Sequence, residues 1–127
     1  MPSNYRVTAA DAATLTVHLI KEFDREKTKT STRVRISQAT LRAIANRVRL
    51  RGAFVDEWID ELGNVGWSAF PVGDHFGIIR TEATEGWVRI GSKRIRETLQ
   101  SIHAGKPGVL AKIEAQIVAP PAKADED

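Results

Sequence analysis

Three features of the sequence predict an α+β domain. Apolar residues recur at three- and four-residue steps in several segments, a spacing typical of amphipathic helices. Two strand-like runs, residues 67–72 and 75–80, flank Gly73 and Asp74, and glycine at the first place of a two-residue loop favours a type II′ hairpin turn. The 127 residues are enough for one buried core but leave little for a second. We therefore expect a single domain over residues 1–118, followed by a disordered acidic tail over residues 119–127.

The composition excludes several classes of protein. No apolar run approaches the roughly 20 residues that cross a bilayer, and the N-terminus lacks a signal-peptide pattern, so we expect a cytoplasmic protein with no membrane partner. The chain has no cysteine, which excludes disulfides and thiolate metal sites. It also lacks a glycine-rich phosphate loop, a metal-ligand motif and a nucleophile elbow. We therefore expect neither catalytic activity nor a bound metal or cofactor.

Charge is distributed unevenly along the chain. Residues 1–52 carry 11 Lys/Arg against 4 Asp/Glu, whereas residues 53–67 carry 4 acids and no base. This asymmetry has two interpretations. Either a basic surface binds a polyanionic partner, or two solvated helix faces of opposite sign attract each other.

The first 36 residues predict a helix, a loop and a strand. Thr8 followed by Asp11 resembles a capping box, so a helix is expected to begin there. Its predicted buried stripe consists of Ala12, Leu15, Leu19, Ile20 and Phe23. Residues 24–32 contain no apolar side chain and predict an exposed, mobile loop. Charged and apolar residues alternate over residues 33–36, which predicts a short strand with two arginines pointing outward.

Residues 37–62 predict two helices of opposite charge. Ser37 is a suitable N-cap for a helix over residues 38–51 that contains four arginines and no acid. Gly52 is expected to end that helix and allow a second one over residues 53–62. The exposed half of the second helix carries Asp56, Glu57, Asp60 and Glu61. The two helices are close enough in sequence for a helix-turn-helix.

The basic helix has two interpretations. In helical projection Gln38, Arg42 and Arg49 lie along one edge, with Asn46 just beyond it. Arginine commonly binds guanine, and glutamine or asparagine binds adenine, so this edge has the chemistry to read a DNA groove. The alternative is an ordinary solvated helix.

Sequence features in and after the hairpin predict how the sheet is completed. Pro71 cannot donate a hydrogen bond, so its strand is expected at a sheet edge. Residues 87–90 alternate in polarity and are expected to add a third strand, which completes a meander. His75 lies at the tip of the hairpin. It either contacts nucleic acid or is an ordinary exposed turn histidine. Trp67 and Trp87 either close a small core or stack on bases.

The C-terminal part predicts two further helices. Ser92 precedes a helix whose first turn carries Lys93, Arg94 and Arg96, where the helix dipole disfavours cations. A bound phosphate would reverse that effect, and a tolerated mismatch is the alternative. A last helix is expected after the break at residues 105–108.

The predicted order is helix, strand, helix, helix, then a three-stranded antiparallel meander and one or two C-terminal helices. Over roughly residues 8–90 this order resembles that of the winged-helix superfamily. The resemblance implies DNA binding and a role in transcription regulation, with the second helix of the pair in the major groove. This chain departs from that pattern because four carboxylates on the second helix would repel phosphates. Contacts to DNA are therefore expected from the first helix and the wing.

Two functional hypotheses follow. The first is a small nucleic-acid-binding protein, a regulator or accessory factor, that contacts double-stranded DNA. Its expected binding residues are Arg35, Gln38, Arg42, Asn46, Arg49, His75, Arg80, Ser92, Lys93, Arg94 and Arg96. The second is a protein-interaction or dimerisation module whose acidic face meets a basic partner or a second copy of the chain. Its expected residues are Asp56, Glu57, Asp60 and Glu61.

Overall fold

The computed structural model describes residues 5–118, so the predicted acidic tail lies outside the described residues. The helices and strands, in chain order, are α1 (Ala9–Lys27), β1 (Arg33–Ser37), α2 (Gln38–Ala45), α3 (Gly52–Asn64), β2 (Trp67–Val72), β3 (His75–Arg80), α4 (Arg96–His103) and α5 (Val109–Val118). Short 3-10 helices span Thr81–Gly86 and Ser92–Ile95. The chain divides into two compact units, the first ending at Trp87 and the second beginning at Val88. A single domain over residues 1–118 stays a prediction.

The three strands form an antiparallel sheet in the order β1-β3-β2. The predicted α+β class, with a three-stranded antiparallel sheet and C-terminal helices, is confirmed, and the layout is consistent with a winged-helix-like arrangement. The third strand, however, is β1 rather than residues 87–90, which follow a 3-10 helix and do not form a strand. Because β3 is already hydrogen-bonded to β1 on one side and to β2 on the other, residues 87–90 cannot pair with it.

Three local signals in the sequence are confirmed. The Thr8 hydroxyl accepts a 3.1 Å hydrogen bond from the Asp11 backbone N–H and caps α1. Ser37 does the same for α2, accepting from the Thr40 N–H at 3.1 Å. Gly73 has a φ of 60° and links β2 to β3, as the hairpin prediction requires. No helix within residues 5–118 is long and apolar enough to cross a membrane.

The core of the first unit lies between the sheet and helices α1, α2 and α3. Trp58 of α3 is fully buried, and its ring meets the Phe76 ring of β3 edge-on, with 5.0 Å between the centroids. The Trp58 Nε1–H donates a 3.1 Å hydrogen bond to the Thr16 hydroxyl, which in turn donates to the Ala12 carbonyl at 2.7 Å. The buried polar groups of this core therefore satisfy one another.

The buried stripe of α1 differs from the predicted one. The helix buries Ala9, Ala12, Ala13, Thr16 and Ile20. Leu15, Leu19 and Phe23, which the prediction placed inside, are 41%, 39% and 42% exposed. The buried stripe consists instead of four small residues and Ile20, and it includes Thr16, whose hydrogen bond from the Trp58 N–H makes its burial favourable.

The loop predicted over residues 24–32 is shorter and better anchored than expected, since α1 continues to Lys27. The Asp24 carboxylate accepts hydrogen bonds from the Ser31 hydroxyl at 2.6 Å and from the Ser31 backbone N–H at 2.7 Å. Ser31 itself is buried. These two bonds, the side-chain one foremost, lower the pKa of Asp24.

The Asp24 bonds should make stability depend on pH. Because the pKa of Asp24 is lower in the folded protein, its contribution is complete above about pH 4 and is lost as pH falls through the folded-state value. We expect Asp24→Asn to be less stable than wild type in urea near neutral pH, and the difference to shrink on acidification. Glu26→Gln, an exposed change on the same helix, serves as control. A difference that does not vary with pH would contradict the expectation.

Candidate nucleic-acid interface

A long stretch of the first unit contains cations and no acid. We call residues 28–55 the basic segment. Its seven Lys/Arg residues are Lys29, Arg33, Arg35, Arg42, Arg47, Arg49 and Arg51. It includes β1, α2, the connection between α2 and α3, and the start of α3. Because no carboxylate belongs to it, any neutralising partner has to come from another part of the molecule.

The predicted basic helix over residues 38–51 is wrong, because α2 ends at Ala45. Asn46 follows with a φ of 54°, and its backbone N–H bonds to the Ala43 and Arg42 carbonyls, which closes the helix. Asparagine tolerates this left-handed conformation better than most residues. Gly52 begins α3 instead of ending α2. The single helical edge predicted for Gln38, Arg42, Asn46 and Arg49 is therefore not formed.

Two residues of the connection are engaged in folding. The Asn46 side-chain amide donates to the Tyr5 carbonyl. The Arg47 guanidinium donates a 3.0 Å hydrogen bond to the Val7 carbonyl and lies 4.1 Å from the centroid of the Phe54 ring. These contacts hold the connection against the segment before α1 and against α3. We conclude that Asn46 and Arg47 position this part of the backbone.

Five arginines of the basic segment are not neutralised. Arg33, Arg35, Arg49 and Arg51 are exposed, and Arg42 is half-buried. Within residues 5–118 none of the five makes an ion pair or a side-chain hydrogen bond, and the one Lys/Arg ion pair is Arg25 with Glu22 on α1. These guanidinium groups therefore have no ion-pair partner in the described part of the chain and are available to an external anion.

The remaining predicted binding residues of the first unit interact with other residues of the protein. Gln38 is half-buried, and its backbone N–H donates to the Asp74 carbonyl at 3.2 Å. His75 is half-buried, with Nδ1 2.8 Å from an Asp74 carboxylate oxygen. The Arg80 guanidinium lies 4.7 Å from the centroid of the Trp67 ring. Of the two interpretations given for the tryptophans, the core one is confirmed for Trp67, which is buried, and is wrong for Trp87, which is 61% exposed.

The outer face of the sheet brings two predicted residues, Arg35 and His75, together with others that the predicted site omitted. Side chains paired across neighbouring strands share a face. The rows on this face are Arg33, Ile79 and Ser68, then Arg35, Gly77 and Phe70, then Ser37, His75 and Val72. Together with Trp87, several of them line an open groove of about 560 Å³. The sequence could have indicated this face. Successive side chains of a strand point to opposite sides, so Phe70 points outward if Trp67 and Ala69 point into the core.

The acidic face of α3 is exposed as predicted. Asp56, Glu57 and Asp60 are exposed and Glu61 is half-buried. None of these four carboxylates forms an ion pair with another described residue. The arginines of the basic segment therefore have no ion-pair partner on α3.

The second unit contains the other predicted cluster. Ser92, Lys93 and Arg94 lie in the 3-10 helix that precedes α4, and Arg96 is the first residue of α4. All four are exposed. An open groove of about 420 Å³ is lined by Gly91, Ser92, Lys93, Arg96, Leu99, Gln100 and His103. The first turn of the predicted helix is thus a separate 3-10 turn, with no side-chain hydrogen bond capping it.

Chemically, these surfaces offer guanidinium groups, a lysine ammonium group and exposed aromatic rings. In the described part of the chain no three His, Asp or Glu side chains are placed to hold a metal ion together. No model of a known protein family, no curated protein and no solved structure matches the chain. The class of the protein is therefore defined by its fold, an α+β arrangement with a winged-helix-like layout.

Proposed function

We propose that this protein is a small nucleic-acid-binding protein, a regulator or accessory factor of the cytoplasm, that binds double-stranded DNA mainly through its phosphates. The observation that carries the proposal is the basic segment. Its arginines 33, 35, 42, 49 and 51 have no neutralising carboxylate within residues 5–118. Unpaired guanidinium groups are well suited to bind phosphate, because their planar donors match two phosphate oxygens at once.

The winged-helix-like layout supports the same proposal, and we include membership of that superfamily in it. In this arrangement the paired helices and the hairpin face DNA. Here the outer face of α3 carries Asp56, Glu57 and Asp60, which phosphates would repel. We therefore propose that DNA lies against α2, the α2–α3 connection and the β1 side of the sheet, and that the outer face of α3 points away from it.

The salt dependence of binding tests this proposal. Each phosphate neutralised by Lys or Arg adds about 0.9 to the slope of log affinity against log salt. If three to five arginines take part, raising salt from about 50 to about 200 mM should weaken binding roughly 40- to 500-fold. Fluorescence anisotropy with a labelled duplex measures this. Absence of binding at low salt, or an affinity that salt does not change, would contradict the proposal.

A second candidate function is a protein-interaction or dimerisation module. The observation that favours it is the row of exposed, unpaired carboxylates on α3. These would suit a basic partner, including the basic segment of a second copy. Under this function Asp56→Asn with Asp60→Asn should weaken self-association in light scattering. A wild-type protein that stays monomeric and binds no basic partner would argue against it.

A further inference from the structure

The outer face of the sheet is exposed to solvent but carries several large apolar side chains. The solvent side of a small antiparallel sheet is usually polar. Here Phe70 is 48% exposed, Val72 43% and Trp87 61%, and all three line the same groove. No acid is found among the residues that line it. The face therefore combines aromatic rings with a positive potential.

The position of the Phe70 ring depends on Gly77. The two residues are paired across β2 and β3, and the ring lies over the glycine. A Cβ at Gly77 would lie 2.7 Å from two atoms of the ring, which is closer than such atoms approach. Gly77 thus leaves room for the ring to lie across the centre of the face. The far side of the ring remains accessible to a ligand.

Two unpaired arginines border the aromatic groups. Arg33 and Arg35 are alternate residues of β1, so both point to the outer face, about 7 Å apart along the strand. Both line the groove with Phe70 and Trp87. Aromatic rings beside cations are the usual combination in proteins that bind single strands, because bases stack on the rings while phosphates contact the cations.

We propose that the outer face of the sheet binds a short stretch of unpaired nucleic acid. Its bases stack on Phe70 and Trp87, and its phosphates contact Arg33 and Arg35. This inference rests on the proposed nucleic-acid function and specifies the form of the ligand at this face. A base-paired duplex would not satisfy the face, because the flat sides of its bases are already stacked on one another.

Tryptophan fluorescence directly measures whether a base contacts the outer face of the sheet. Of the three tryptophans, Trp58 and Trp67 are buried and Trp87 is exposed. Quenching by an added base therefore reports contact with Trp87. We would titrate the full chain with a single strand of about eight deoxythymidines, a length within the range that such surfaces cover. Saturable quenching is expected, and its absence would overturn the inference.

Two substitutions separate stacking from folding. Phe70→Leu keeps an apolar side chain over Gly77 but removes the aromatic ring, and it should weaken single-strand binding roughly 5- to 100-fold. Gly77→Ala keeps the ring but displaces it, and a loss in the same direction is expected. Leu15→Ala serves as control, because Leu15 is 41% exposed on α1 and does not line this groove. Thermal unfolding identifies any variant that fails to fold.

Measuring duplex binding in parallel distinguishes the two proposals. If Phe70→Leu binds the single strand like wild type while duplex binding persists, the inference is overturned and the proposed function stands. If neither strand nor duplex binds the wild type, both fail. If light scattering shows a dimer that Phe70→Leu dissociates, a second copy occupies the face, and the inference is likewise overturned.

Discussion

Duplex DNA should no longer be retained when Arg42 and Arg49 are both changed to glutamate. Hydrogen bonds to charged groups contribute about 1.5–3 kcal/mol each, so losing two corresponds to roughly a 150- to 25,000-fold loss of affinity at low salt. The introduced carboxylates add repulsion. The slope of log affinity against log salt should also fall by about 1.8. Anisotropy titrations of the double variant at several salt concentrations measure both quantities.

Lys21→Glu with Lys27→Glu is the matched control for this experiment. Both lysines are exposed on α1, and the double change alters the net charge by the same amount. Only the weaker, long-range effect of net charge is expected there. Equal losses in the two variants would show that overall charge, not the basic segment, determines binding. If the Arg42/Arg49 variant still binds, another surface contacts the DNA.

Replacing Trp58 by alanine should cause the largest loss of stability. Trp→Ala in a core costs about 3–5 kcal/mol, a large part of the 5–15 kcal/mol by which a domain is typically stable. Thr16→Val is expected to cost about 1–3 kcal/mol although valine is more apolar, because the buried Trp58 N–H would lose its acceptor. Urea unfolding followed by circular dichroism measures both changes.

A double-mutant cycle tests the cause of the Thr16 effect. In a Trp58→Phe background there is no indole N–H to satisfy, so Thr16→Val should cost much less than in wild type. Leu15→Ala, on the exposed side of α1, should cost less than about 1 kcal/mol. An equal cost of Thr16→Val in both backgrounds would mean that the hydrogen bond does not explain its burial.

Signals contained within a few residues were predictable. Ser37 and Thr8 cap their helices because the donor lies three residues away along the chain. The turn at Gly73 and Asp74 also sets the pairing of β2 with β3, since a two-residue loop leaves one register. Correct pairing of these strands places Phe70 opposite Gly77. The pairing of Phe70 with Gly77 could therefore have been predicted from the sequence.

Features that depend on distant partners were not predictable. Residues 33–36 and 87–90 were both predicted as strands, and in the fold only the first pairs with β3. Thr16 is buried because Trp58 lies next to it, 42 positions along the chain. Asn46 ends α2 early because its left-handed backbone is stabilised by local carbonyls and its amide reaches Tyr5. The predicted row of DNA-reading side chains failed for that reason.

Pro71 has a consequence for behaviour at high concentration. Val72 and His75 close the hairpin as a hydrogen-bonded pair, so the backbone of Pro71 in the next pair points to the free margin of β2. Lacking an N–H, it interrupts the row of donors that an incoming strand would need. At the opposite margin, the guanidinium groups of β1 repel an identical neighbour. Fibril growth by strand addition is hindered on both sides, so concentrated samples should resist amyloid formation.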